Sequence, residues 1–149
     1  MAMDNVVKKI KHVVCDLWQP TDVTFRYYTP FQANKALDRI SGKVIIVETP
    51  DFGTLEYKGG LQMVDKPTLR IWFLQPRVKL DNDAIENEDA IQEMKVLAAQ
   101  FVKQINLSGL FEPLKGELPY VPEQGIFDRG ETGIGLDVSL KEIIGIKIC

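Results

Sequence analysis

The sequence predicts an α+β fold: a mostly antiparallel sheet with a long amphipathic helix packed across it, plus an N-terminal helix and a short second helix. Three observations lead there. Apolar residues recur at three-four spacing along one long central segment. Short β-branched and aromatic runs, punctuated by glycine and proline, surround it. Two of those runs are joined by a Gly-Gly turn, which makes them antiparallel neighbours.

Along the chain, Asp4–Leu17 reads as a helix. Val6, Ile10, Val13 and Leu17 form its apolar stripe, with Val7 and Val14 beside them, and Lys8, Lys9, Lys11 and His12 take the other face. Asp4 or Asn5 can cap its start, and Pro20 follows its end. Val23–Tyr28 alternates as a strand. Thr29-Pro30 then resembles an N-cap and first-turn proline, so a short second helix is expected over Phe31–Ser41, closed by Gly42. Val44–Val47 is a continuous apolar run, which fits a strand buried on both faces.

Thr54–Asp65 reads as a hairpin, with Leu55 and Tyr57 leading in, Gly59-Gly60 at the turn, and Leu61 and Met63 leading out. Thr68–Leu74 is the next strand. The strongest element lies within Asn82–Asn106, where Ile91, Met94, Ala98, Phe101 and Ile105 share one stripe that Leu97 and Val102 widen. Acidic residues fill its first turns, as the helix dipole prefers. Leu107–Gly125 has no clear period and reads as a long proline-rich loop. Ile134, Leu136, Val138 and Leu140 then alternate as a strand, and Ile144, Ile146 and Ile148 form a last short run that Gly145 interrupts.

A chain of 149 residues with 45% hydrophobic and 26% charged residues is expected to form a single domain over 1–149, with a core that needs no metal or disulfide. The 18 basic and 21 acidic residues give a net charge of −3, which argues against nucleic acid as the partner. Cys15 lies among apolar residues and reads as a buried free thiol, and Cys149 as a terminal one, which suits a reducing compartment. The first residues lack the apolar stretch of a secretory leader, and no run approaches the ~18 residues of a membrane span. A cytoplasmic protein without membrane contact is expected.

The search for chemistry favours binding over catalysis. His12, the only histidine, sits among lysines on a polar face. One histidine and two remote cysteines make no zinc set. Asp81, Asp83, Glu86, Glu88, Asp89 and Glu93 are dense enough for a hard cation. Yet a calcium loop starting at Asp81 would place Ile85 at a ligand position and Glu86 where glycine is required. The acids read as a solvated helix start. Gly130-Glu131-Thr132-Gly133-Ile134-Gly135 lacks the Gly-Lys-Ser/Thr and following helix of a phosphate loop, and reads as a tight turn before a strand. No Gly-x-Ser-x-Gly elbow occurs. Trp18, Phe25, Tyr27 and Tyr28 near Arg26 read as core packing, not a base-stacking platform. Catalytic, cofactor and metal residues are therefore expected to be none.

The apolar hairpin and the long loop are the features left unexplained by chemistry. The loop's apolar residues either fold back on their own core or reach a neighbour. The expected interaction residues are Tyr57, Leu61 and Met63 on the hairpin, and Phe111, Leu114 and Tyr120 on the loop.

The element order resembles that of the small α+β tail-terminator and head–tail joining proteins of tailed bacteriophages and prophages. The matching pieces are the Val6–Leu17 helix, the Val44–Glu48 strand, the Leu55–Met63 hairpin, the Ile91–Ile105 helix and the Gly133–Leu140 strand. The Phe31–Ile40 helix and the Leu107–Gly125 loop depart from the pattern. The resemblance implies a non-enzymatic structural protein that assembles as a ring in a virion, with no catalytic residues to carry over. The competing readings are a monomeric module that binds a small ligand or a protein, and an enzyme without a recognisable motif.

Overall fold

The structure, a computed structural model, describes residues 5–28, 42–50, 52–76, 84–124, 131–144 and 146–147. The chain enters through helix α1, Val6–His12, capped by the Asn5 side chain, which accepts a 2.8 Å hydrogen bond from the Lys8 amide. The helix continues as a π-helical turn over Val13–Trp18 and ends at Gln19 in the left-handed region. This turn changes the helix's register. A π turn inserts an extra residue, so positions beyond it rotate away from an α-helical stripe. Val6, Ile10, Val13 and Val14 are buried as expected, but Leu17 is 53% exposed. Cys15, expected to be buried, is exposed because at about 3.6 residues per turn it lies about half a turn from the Val6–Ile10–Val13 stripe, on the side of Lys8 and Lys11.

Strand β1, Val23–Tyr28, and strand β2, Lys43–Glu48, lie side by side and parallel. A parallel pair needs a crossover between its strands. The expected helix Phe31–Ser41 falls in that crossover, outside the described residues. Every other pairing is antiparallel. The sheet runs β1-β2-β4-β6-β5, where β4 is Gln62–Gln75, β5 is Tyr120–Gln124 and β6 is Thr132–Ser139. Strand β3, Phe52–Tyr57, and the two-residue β7, Ile146–Lys147, pair with the first half of β4.

The fourteen-residue β4 is the spine of the sheet. The sequence suggested a hairpin strand and then a separate strand at Thr68; the two are one strand that passes through Pro67. Strands β2 and β3 follow each other along one edge of β4, and β6 and the segment after it follow the other. Amide-to-carbonyl bonds from Leu140 to Pro67 and from Glu142 to Asp65 carry that second edge beyond β6.

Helix α2, Ala84–Ser108, covers one face. Its 25 residues span about 37 Å at 1.5 Å per residue. Ile91, Met94, Leu97, Ala98, Phe101 and Ile105 point into the core, where they meet Leu69, Ile71 and Phe73 of β4 and Ile134, Leu136 and Val138 of β6. Phe101 meets Phe73 edge-on at 5.4 Å between ring centroids. The opposite face of the sheet buries Val44, Ile46, Trp72 and Leu74. The Val44–Val47 run is thus buried on both faces, as its unbroken apolar pattern required.

Gly133 and Gly135, where the expected tight turn and the expected Gly133–Leu140 strand overlap, both lie inside β6. A Cβ on Gly135 would come within 2.7 Å of the Trp72 indole, and one on Gly133 would lie against the Phe73 carbonyl. They are glycines because the neighbouring strand approaches so closely.

Candidate interaction surface

The β3–β4 hairpin runs past the part of the sheet that α2 covers. Gly59 and Gly60, with φ of 86° and 59°, turn the chain. The Lys58 amide closes the turn on the Gln62 carbonyl at 3.1 Å, and the Tyr57 hydroxyl donates to the Gly60 carbonyl at 3.1 Å. All six residues of β3 are exposed, so this strand is covered on neither face. Its outer edge is unpaired among the described residues.

The hairpin is also apolar. Phe52, Leu55, Tyr57 and Leu61 are each more than 60% exposed. Leu55 and Tyr57 sit opposite Asp65 and Met63, on the same side of the sheet as the core residues Leu69, Ile71 and Phe73 further along β4. Phe52, opposite Thr68, points to the other side. Ile143 and Ile144, 52% and 71% exposed, lie on the segment along the far edge of β4.

A row of charges braces the hairpin. Glu56 bonds Lys141 at 2.7 Å and Lys58 at 2.9 Å, and Lys141 reaches Glu112 at 3.5 Å. The hydrogen bonds from Lys141 and then Lys58 hold the Glu56 carboxyl at about 2, below its ordinary 4.5. The same contact raises Lys141. Beneath the far-edge segment, Lys9 of α1 is buried, against its expected polar placement. Its ammonium lies 3.1 Å from Glu142 Oε1 and donates to the Ile144 carbonyl at 3.1 Å.

The expected interaction residues divide. Tyr57 and Leu61 are exposed and Met63 is half-buried beside them, so the hairpin group is brought together. The loop group is not. Phe111 is only 1% exposed and belongs to the core, so it is withdrawn as a contact residue. Its backbone pairs with Glu142, and the Ile143 amide donates to the Leu110 carbonyl. Leu114 packs partly on the same core, clamped by Asn106, whose amide group bonds the Leu114 carbonyl at 2.9 Å and its N–H at 2.8 Å. The loop therefore folds back on its own domain. Tyr120 lies not in a loop but in β5, on the opposite edge of the sheet, 46% exposed beneath the Lys95 ammonium. Phe52, Ile143 and Ile144 add exposed apolar surface that the sequence reading did not single out. Phe52 lies two residues before the expected start of the hairpin at Thr54, out of phase with the Leu55–Tyr57 alternation.

Elsewhere, His12 bonds Asp16 at 2.8 Å on the surface. Arg70 makes a two-pronged bond to Asp137, at 2.8 and 3.0 Å, and lies 5.7 Å from the Trp72 ring. Among the described residues, no three His, Cys, Asp or Glu side chains are grouped to hold a metal, and no helix is long and apolar enough to cross a membrane. Residues 81–87 of the acidic run fall where side chains are not described, while Glu88, Asp89 and Glu93 are all solvent-facing. No protein-family model matches the chain, and no curated protein matches it.

Proposed function

We propose that this chain is a structural assembly protein that self-associates through the β3–β4 hairpin, in the manner of a phage-type ring component. The observation that carries the reading is strand β3: six residues exposed on both faces, an open edge, and large apolar side chains. Such an edge is a template for another chain. A two-stranded hairpin gains stability from a neighbour. The far-edge apolar pair, Ile143 and Ile144, offers a second patch on which a neighbouring copy's hairpin can rest, and two different patches meeting head to tail generate a ring where the rotation between copies closes.

The test is solution mass across a concentration series, for the unaltered chain and for Tyr57→Glu with Leu61→Lys. The unaltered chain should form a closed oligomer. The double variant should run as one chain with its helical circular dichroism intact, because both side chains are exposed in the protomer. A Phe111→Glu change cannot serve as the test, since it would break the core. An unaltered chain that stays monomeric at high concentration overturns the reading in favour of a monomeric binding module.

A further inference from the structure

The other open edge of the sheet has different chemistry. Beside β1 runs a groove of about 660 Å³, bounded by Val7, Lys8, Lys11 and Cys15 of the N-terminal helix and by Val23 to Tyr27 of the strand. The helix residues lie on one side of the helix. The strand contributes five consecutive residues. A strand that lined a cavity with one face would contribute every second residue, so β1 is presented to the groove edge-on. Its inner edge pairs with β2, and it ends the row of strands among the described residues. The backbone N–H and C=O groups that β1 directs away from β2 therefore face the groove, and among the described residues no strand pairs with them; the Phe25 carbonyl accepts a 2.8 Å hydrogen bond from the Arg26 guanidinium.

Charge selects the partner. Lys8, Lys11 and Arg26 line the groove, and among the described residues no aspartate or glutamate does. This reverses the sign of a chain whose net charge is −3. Val7, Val23 and Phe25 supply half-buried apolar floor between the cations. Five strand residues at about 3.3 Å each give room for an added segment about 16 Å long. We propose that this groove binds an extended acidic peptide segment, which adds to β1 as a further strand with the N-terminal helix over one side. Main-chain bonds supply the common affinity, as in other strand additions, and Lys11 and Arg26 select acidic side chains. The site is separate from the hairpin and stands whether or not the hairpin mediates assembly.

Cys15 makes the groove observable. In a Cys149→Ser background it is the sole thiol, and its alkylation by iodoacetamide reports on occupancy. The probe is an acetylated hexapeptide alternating glutamate with valine, used at a protein concentration where the chain's mass is constant. The expected result is slower Cys15 alkylation and slower exchange of those amides of residues 24–27 that point away from β2. Lys11→Glu with Arg26→Glu should weaken binding by about tenfold or more, with the circular dichroism of the fold retained. A backbone-methylated form of the peptide, which keeps its charges but cannot donate, should not protect. Three results overturn the proposal. The peptide has no effect. Citrate or the methylated peptide protects equally, which marks a simple anion site. Or the amides of 24–27 that point away from β2 are already slow without peptide, which shows that residues 29–41 of the same chain, or a second copy, fill the edge.

Discussion

The buried ion pair of Lys9 and Glu142 should be one of the most sensitive points in this fold. The two side chains are 8% and 1% exposed, and they join the first helix to the segment that flanks the hairpin. The pair is held by charge: the ammonium is 3.1 Å from Glu142 Oε1, yet neither carboxylate oxygen has a well-directed hydrogen bond among the described residues. Attraction between two desolvated charges roughly offsets the cost of burying them, so the intact pair adds little net stability. Removing one partner leaves the other charge buried and uncompensated, which costs about 3–5 kcal/mol. Lys9→Met should lose that much in urea denaturation, out of a total of about 5–15 kcal/mol for an ordinary domain. Glu142→Leu should lose a similar amount. The double variant should recover most of the loss and lie within about 1 kcal/mol of the unaltered chain, because two apolar side chains of similar volume replace the pair. If each single change costs under about 1 kcal/mol, or if the double loss equals the sum of the singles, the pair is not the buried, coupled unit described above.

Phe101→Ala removes a fully buried ring and its edge contact with Phe73, and should cost about 3–5 kcal/mol in the same assay; a loss below about 1 kcal/mol would place the helix on another face. Gly135→Ala should shift the Trp72 ring, seen as a change in tryptophan emission together with a fall in the denaturation midpoint, whereas Gly60→Ala at the open hairpin turn should leave the emission unchanged. Glu56 has a folded pKa depressed from 4.5 to about 2, so the stability it contributes is present above about pH 4.5 and is lost as pH falls through about 2. Amide exchange in β3 should therefore speed up over that window, and Glu56→Gln should remove the pH dependence.

The fold was legible wherever a periodic pattern met a single environment. The α2 stripe at Ile91, Met94, Ala98, Phe101 and Ile105 faces one core, and the Val44–Val47 run faces two. The misreadings have local causes. The π turn after His12 moves Leu17 to the surface, and nothing in an apolar pattern marks a one-residue insertion; Cys15 is exposed because it lies on the far side of the helix from the apolar stripe. Lys9 is buried because Glu142 lies opposite it, a pairing over a separation of 133 residues that composition cannot show. Gly133 and Gly135 resembled a turn because glycine signals both turns and close approaches. Proline density made Leu107–Gly125 look like one loop, although Pro122 sits in an edge strand, where a missing donor is tolerated. For the interaction surface, the hairpin residues were readable because alternation continued into a segment too apolar for solvent. Phe111 was not, since burial of a loop aromatic depends on what the loop folds against.

How the sheet treats its edges is the strongest physical reason to propose assembly through the hairpin. An exposed strand edge is a hazard that proteins blunt with proline, charge or cover. The β5 edge carries Pro122, with Lys95 above Tyr120. The β1 edge has the N-terminal helix beside it and a basic lining. Strand β3 has neither proline nor cover, and its one charged side chain, Glu56, is turned to Lys141 and Lys58 instead of guarding the edge. Its remaining outward surface is Phe52, Leu55 and Tyr57. An apolar edge and a basic edge also respond differently to salt. Contacts between exposed charges are screened beyond about 10 Å at 0.1 M, while burial of apolar surface is not weakened by that screening. Self-association through the hairpin should persist as ionic strength rises, and occupancy of the β1 groove by an acidic peptide should fall. Loss of both together on adding salt would mean that one charged surface serves both roles.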